Sequence, residues 1–319
     1  GKAVTPIVLA MPGNERAADE LARMIGAERG SVTIRRFPDG ESYVRIESSV
    51  QDRRVLVVCT LDRPDAKLVP LLLLAAAAHD NLALDVGLVA PYLPYMRQDR
   101  RFHPGETVSA THVANWLSSA FDWLVTVDPH LHRIERLSQV YSIPAGVVHA
   151  AHDVAAWLRE NVRQPLLVGP DTESEQWVAD IANRIDAPFV VLQKNRRGDR
   201  DVEVSVPDIR RWPEHTPVLI DDIVSTARTM VAALEHLRAA GAPAPVCVAV
   251  HAIFAGEALL ELRLAGAADV VSCDTVPHVS NRIPLTGAIA EQIRLLFESG
   301  ISPSSADESR VNDNRGETR

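Results

Sequence analysis

The stretch PVLIDDIVSTARTM, Pro217 to Met230, sets an apolar run against two adjacent aspartates and then turns through Ser225, Thr226 and Ala227 into a helix-like pattern. Neighbouring carboxylates repel each other and resist desolvation, so a plain turn would be cheaper with Gly or Asn. Read as strand, polar turn and helix start, the stretch puts Asp221 and Asp222 beyond a strand's carboxyl end, where open α/β sheets bind ligands. The helix expected from about Met230 offers unpaired N–H groups and a positive dipole end, both suited to phosphate. The hydroxyls of Ser225, Thr226 and Thr229 add donors. The carboxylates can accept from ribose hydroxyls or hold a magnesium ion. A capped helix after a polar turn accounts for the Ser and Thr but not for the paired Asp. The stretch matches a sugar phosphate, with the diol at its acidic end and the phosphate at the helix tip.

The same alternation of apolar run and helical pattern extends in both directions. PIVLAMP precedes NERAADELARMIGA, RRVLVVCT precedes AKLVPLLLLAAAA, and PLLVGP precedes ESEQWVADIANRI. Such alternation is the mark of βαβ units building a parallel sheet, so the expected class is α/β with two Rossmann-like domains of mainly parallel sheet. A weak internal repeat supports two related domains. IVLAMPGNERAADELARMIGA, followed by RRFPDG, parallels LLVGPDTESEQWVADIANRIDA, followed by KNRRGD. RRVLVVCTLDRPD stands where TPVLIDDIVSTAR stands later, as if one copy kept a ligand loop and the other lost it. The expected division is 1–147, 148–301 and a tail, 302–319, almost without large apolar residues and expected to be disordered.

The chain has 319 residues, which favours two cores over one, and its 46% hydrophobic and 24% charged residues are ordinary for a globular protein. No apolar stretch reads as a membrane span, and no secretory leader is visible, so a cytoplasmic setting is expected. Cys59, Cys247 and Cys273 form neither a disulfide framework nor a zinc pattern and read as buried thiols. A formal net charge of −9 argues against a broad nucleic-acid surface, but RQDRRFH and KNRRGDR concentrate positive charge locally, as a phosphorylated ligand requires.

The Asp221–Thr229 stretch resembles the ribose-phosphate loop shared by phosphoribosyltransferases and ribose-phosphate pyrophosphokinases (PRPP synthetases). That family commonly has a glycine near the loop's end, where this chain has Ala227 and Arg228. Five further stretches resemble the synthetases. RRFPDGESYVRI, Arg35–Ile46, reads by itself as a β-hairpin with a Pro-Asp-Gly turn. By resemblance it is a projecting loop that places Phe37, Asp39 and Glu41 in the ATP site of a neighbouring subunit. APYLPYMRQDRRFHPGETVSA, Ala90–Ala110, is similar to the family's ATP-binding stretch, with Arg97 and Gln98 matching its nucleotide contacts. Guanidinium suits polyphosphate because it donates in a fixed fork and stays charged.

TVDPHLHR holds His130 and His132. Two residues apart on a strand they would point the same way, and His-x-His can serve zinc, but no third ligand is evident. The resemblance instead selects His130 for a magnesium site. GPDTESE lies where the family has its pyrophosphate loop, and Asp171 matches the aspartate associated with metal. The family's glycines are replaced by Thr172, Glu173 and Ser174, and Glu173 beside a pyrophosphate would be unfavourable unless it faces away. QKNRRGDRDV reads by itself as a solvated charge run. By resemblance, to the archaeal-type branch in particular, Lys194 and Arg196 lie on a loop that closes over the reacting phosphates, with Arg197 assisting.

The resemblance implies a type I phosphoribosyltransferase-like fold, Mg2+, and a homodimer or higher assembly sharing its active site. It implies transfer of pyrophosphate from ATP to ribose 5-phosphate. Two alternatives stay open: a phosphoribosyltransferase that consumes PRPP, which has no evident need for the Phe37 and Arg97 stretches, and a catalytically silent regulatory relative, suggested by the missing glycines near Asp171. Neither nucleic acid nor membrane is expected as a partner.

Overall fold

The computed structural model describes residues 4–197 and 201–301, without the side chains of residues 195–197 and 201–203. The segment 302–319, expected to be a tail, lies outside the described residues. The chain divides into two units, one built from residues up to Val148 together with those from Thr286, the other His149–Leu285.

The first unit begins β1 (Ile7–Ala10), α1 (Glu15–Ile25), β2 (Glu28–Arg29) and the hairpin strands β3 (Val32–Arg36) and β4 (Ser42–Ile46). It continues β5 (Arg54–Val58), α2 (Asp65–Asp80), β6 (Asp85–Ala90), α3 (Ser109–Ala120), β7 (Trp123–Val127) and β8 (Ala145–Val148). Its main sheet runs β2-β1-β5-β6-β7-β8, and every pairing in it is parallel. The strands are near-continuous runs of Val, Leu and Ile because helices cover both faces, leaving no polar side to alternate.

The second unit contains α4 (Ala151–Asn161), β9 (Pro165–Gly169), α5 (Glu175–Arg184), β10 (Phe189–Val191) and the hairpin β11 (Gln193–Arg197) and β12 (Asp201–Ser205). Then come β13 (Thr216–Val224), α6 (Arg228–Ala239), β14 (Val246–Ala252), α7 (Ala258–Leu264), β15 (Asp269–Cys273) and β16 (Asn281–Ile283). Its sheet order is β10-β9-β13-β14-β15-β16, again all parallel. Strand for strand and hairpin for hairpin this is the order of the first unit, which is what the internal repeat implies.

The last helix, α8 (Thr286–Glu298), packs on α1, β7 and β8 and so counts with the first unit. The division expected from sequence ran the second domain on to 301 and differs here. The difference follows from an exchange: α4 follows the first unit's last strand but packs on α5 and β16, while α8 follows the second unit's last strand but packs on α1 and β8. Each unit is thus completed by the helix that leaves the other.

All three cysteines are buried, as their apolar settings suggested, and burial pushes the Cys59 and Cys247 thiols up to about 12, so neither is a nucleophile. No helix among the described residues is long and apolar enough to cross a membrane.

Candidate active site

In each sheet the chain leaves its first strand to one side, then returns on the other. That makes a crevice beyond the carboxyl ends of β9 and β13 in the second unit, and of β1 and β5 in the first. The two crevices are furnished differently.

In the second unit, Asp221 and Asp222 stand near the end of β13, with Asp221 still paired to Ala249 of β14. Both carboxylates turn back on the chain: the Asp222 N–H donates to Asp221 Oδ1 at 2.8 Å and the Ile223 N–H to Asp222 Oδ1 at 2.9 Å. Burial pushes the Asp221 carboxyl up to about 9, with repulsion from Asp222 and a smaller push from Asp171 adding to it. A group so unfavourably ionised is poised for a cation or for sugar hydroxyls.

Past it, Ser225 is half-buried and its carbonyl accepts from the Ala255 N–H at 2.9 Å, while Thr226, Arg228 and Thr229 are exposed. The turn into α6 is made by Ala227, buried and left-handed at φ 63°. Glycine would adopt that conformation without strain, which explains the family's preference there. No side chain caps α6, so its first N–H groups face the loop, and Arg228 opens the helix toward solvent rather than filling the crevice.

Across the crevice, β9 ends at Gly169. The Asp171 carboxylate accepts from the Ser174 N–H at 3.1 Å, and Ser174 Oγ donates to the Asp171 carbonyl at 2.7 Å. A single tight turn, Thr172–Ser174, then enters α5, and no residue from 170 to 175 has a left-handed backbone. The loop therefore stands without the glycines it lacks. Glu173 is exposed. Lys194 is exposed on β11, opposite Val204 of β12. The side chain of Arg196 is outside the described ones.

Magnesium is commonly held by one or two carboxylates, with substrate phosphates and water completing its shell. Among the described residues no three His, Cys, Asp or Glu side chains gather as a metal cage. The Asp221–Asp222 pair with Asp171 beside it fits that sparse mode and no denser one.

In the first unit the corresponding crevice is stitched shut. Asn14, buried after β1, accepts the Thr60 N–H at 2.9 Å and donates to the Met11 carbonyl at 3.2 Å. Lys67 of α2 reaches back to the Thr60 carbonyl at 3.0 Å and to Asp62 at 2.6 Å. The chain's own ammonium sits in the loop that replaces the ribose-phosphate loop.

The remaining expected groups of this unit lie elsewhere. The hairpin β3–β4 carries Phe37, Asp39 and Glu41 at its tip. Phe37 is 38% exposed, the Glu41 N–H donates to Asp39 Oδ1 at 3.0 Å, and Gly40 supplies the left-handed turn at φ 94°. Phe37 meets Tyr43 edge-on at 5.8 Å, and the Arg35 guanidinium stacks over Tyr43 at 4.5 Å. Arg97 and Gln98 are exposed in the loop after β6. Gln98 is pinned to the start of α3, because Ser109 Oγ donates to its Oε1 at 2.9 Å and the Ala110 N–H to its carbonyl at 3.1 Å.

His130 is half-buried and His132 exposed, both in the loop after β7. Neither is on a strand, so the same-face geometry that a His-x-His zinc pair needs is not met. Asp99, which sequence reading passed over, is nearly buried and paired with Arg133 at 3.2 Å. Desolvation would raise its pKa, yet the Arg133 N–H and guanidinium outweigh that and hold it below the usual range. Its place between Gln98 and Arg100 in a basic run was the one signal available.

Two family models match the chain: the N-terminal domain of ribose phosphate pyrophosphokinase over residues 7–120, and the phosphoribosyl transferase domain over 137–285. The ribose-phosphate pyrophosphokinase of Methanopyrus kandleri is 33% identical over 91% of this chain and 99% of its own length. That of Saccharolobus solfataricus is 33% identical over 87% and 95%. A crystal structure of phosphoribosylpyrophosphate synthetase from Mycobacterium smegmatis aligns with a TM-score of 0.80 at 25% identity, covering 93% of this chain and all of that one. With both domain models matched in order and relatives matched nearly end to end, the chain belongs to the ribose-phosphate pyrophosphokinase family.

Proposed function

We propose that the protein is a ribose-phosphate diphosphokinase, which transfers the β,γ-pyrophosphoryl group of ATP to the 1-hydroxyl of ribose 5-phosphate and releases PRPP and AMP. The observation that carries this is the second unit's crevice. An acidic pair, of which Asp221 is raised toward neutrality by burial and by Asp222, stands on one side, and an uncapped helix start lies past it. Asp221 and Asp222 orient the ribose diol, while Ser225, Thr226, Ala227, Arg228 and Thr229 with the tip of α6 receive the 5-phosphate.

The 1-hydroxyl oxygen attacks the β-phosphorus of ATP. The new O–P bond forms as the hydroxyl gives up its proton to water and the bond between the β-phosphorus and the α,β-bridging oxygen breaks, and AMP departs with that oxygen. The transition state spreads negative charge over phosphate oxygens, so catalysis is positioning and neutralisation. Lys194 and Arg196 on the β11–β12 hairpin supply positive charge there. Arg97 and Gln98 hold the nucleotide, and Phe37, Asp39 and Glu41 take its adenine by stacking and by accepting from its amine. His130 and Asp171 are the side chains that would be offered to Mg2+, which would supply neutralisation of the polyphosphate charge.

Incubating the protein with Mg2+, ATP and ribose 5-phosphate should yield AMP and PRPP in equal amounts. Binding of both substrates without AMP would instead identify the silent relative, and consumption of added PRPP with a free base would identify a transferase. Lys194→Ala should lower kcat about a hundredfold, as removal of one strong transition-state donor does. Unchanged kcat in a folded variant would remove Lys194 from the chemistry.

The hairpin reading carries a second expectation. If Phe37, Asp39 and Glu41 serve a neighbouring subunit's site, specific activity should fall as the protein is diluted through its dissociation range. A fully active monomer by sedimentation would rule that out.

A further inference from the structure

We propose that Asp99 and Arg133 form a latch that positions the nucleotide-binding loop, a role no motif assigns to either residue. The inference rests on the reading of Arg97 and Gln98 as nucleotide contacts. β6 and β7 are neighbours in the first sheet, and the loops after them, one carrying Arg97 and Gln98 and the other His130, leave the same edge. An ion pair joins these loops. The Asp99 side chain is only 2% exposed and accepts twice from Arg133, from its backbone N–H at 3.1 Å and from its guanidinium at 3.2 Å.

The contact is local on both sides of the expected site. Asp99 immediately follows Gln98, whose own carbonyl and side-chain oxygen are fixed to the start of α3. Arg133 lies three residues after His130. The same guanidinium stacks on Phe102 at 5.4 Å, and Arg100 covers that ring at 4.5 Å, so the turn beyond Asp99 is held by Arg133 as well. Arg97 is exposed and stands next to two residues that are each pinned. A loop tied at Gln98 and Asp99 presents the Arg97 fork in one orientation before the nucleotide arrives, so less ordering entropy is lost on binding. A surface ion pair between long side chains would do little of this. A carboxylate withdrawn from water and bonded by both main chain and side chain of its partner is a different case.

Both residues are positioning residues, since neither is assigned a contact with substrate. The test uses the full chain and four proteins: the natural one, Arg133→Gln, Arg133→Lys and Asp99→Asn. Affinity for a fluorescent ATP analogue with Mg2+ is measured by titration, together with KM for each substrate, kcat and the thermal midpoint. The expected result is about a tenfold loss of nucleotide affinity in all three variants, the scale of one charge-assisted bond. KM for ribose 5-phosphate should stay close to that of the natural chain, even where the loss of a partner from a buried carboxylate lowers the midpoint. Arg133→Lys should fail like Arg133→Gln, because Lys keeps the charge but loses the fork and the stacking.

Natural nucleotide affinity in Arg133→Gln and Asp99→Asn would overturn the latch. So would full rescue by Lys, or equal losses for both substrates tracking a fallen midpoint. Should the natural chain bind ATP but release no AMP, the diphosphokinase reading fails while the affinity ratios still decide the latch. Should it bind no nucleotide, both fail.

Discussion

Asp221 carries the sharpest tension between stability and function at the scale of single residues. Its carboxyl is held near 9 in the fold by burial and by Asp222, against an ordinary value of 3.8. A carboxyl whose folded pKa is raised binds its proton more tightly folded than unfolded. Its contribution is therefore best below pH 3.8, erodes as pH rises, and is a full penalty above 9. Asp221→Asn should thus raise the thermal midpoint of the ligand-free protein by a few degrees at pH 8, with the gap closing toward pH 4, while abolishing ribose 5-phosphate binding. A pH series of melting curves checks this, and a gap that is flat or widens on acidification contradicts it. The paired aspartates stood out in the sequence because nothing in a strand-turn-helix junction asks for two carboxylates. The upward push on Asp221 was not legible, because it depends on burial beside β14 and on the charge of Asp171 from another loop.

Among the elements, the close pairing of β6 and β7 shows how little room the first sheet leaves. Gly87 lies opposite Trp123, and a methyl at Gly87 would sit 1.8 Å from the indole. The ring cannot retreat easily, since its Nε1 donates to the buried Asp85 at 3.0 Å and Asp85 also holds Arg54 at 2.8 Å. Gly87→Ala should cost about 3 kcal/mol, the upper end for overpacking a core, measured as a drop in denaturation midpoint. A cost under about 0.5 kcal/mol would mean that the indole has room that this packing does not show. The strands themselves were plain from their apolar runs, and the β3–β4 hairpin from its Pro-Asp-Gly turn. The Asn14–Thr60 and Lys67–Asp62 bonds that close the first crevice were not, because each joins side chains from loops that meet only in the fold.

For the whole molecule, duplication with exchanged helices makes the chain less divisible than its repeat suggests. Phe297 of α8 packs edge-on against Trp123 at 5.5 Å and lies under the Arg54 guanidinium at 4.2 Å, so α8 covers the first unit's buried ion pair. A chain ending at Leu285 would expose that surface and leave Asp85 and Arg54 to water. It should lose cooperative unfolding of the first unit and bind a hydrophobic dye, whereas a chain ending at Ile301 should melt as the full chain does. Equal melting of both would show that α8 contributes nothing to that core.

The order of apolar runs and turns determined the class of fold, the repeat and the place of the acidic loop ahead of α6, because hydrophobic period and turn chemistry are written locally. Which unit each closing helix joins, which crevice is filled by its own lysine, and which aspartate is driven toward neutrality were decided by tertiary structure. Those outcomes depend on which residues distant in sequence come within bonding distance, and no local pattern carries that information.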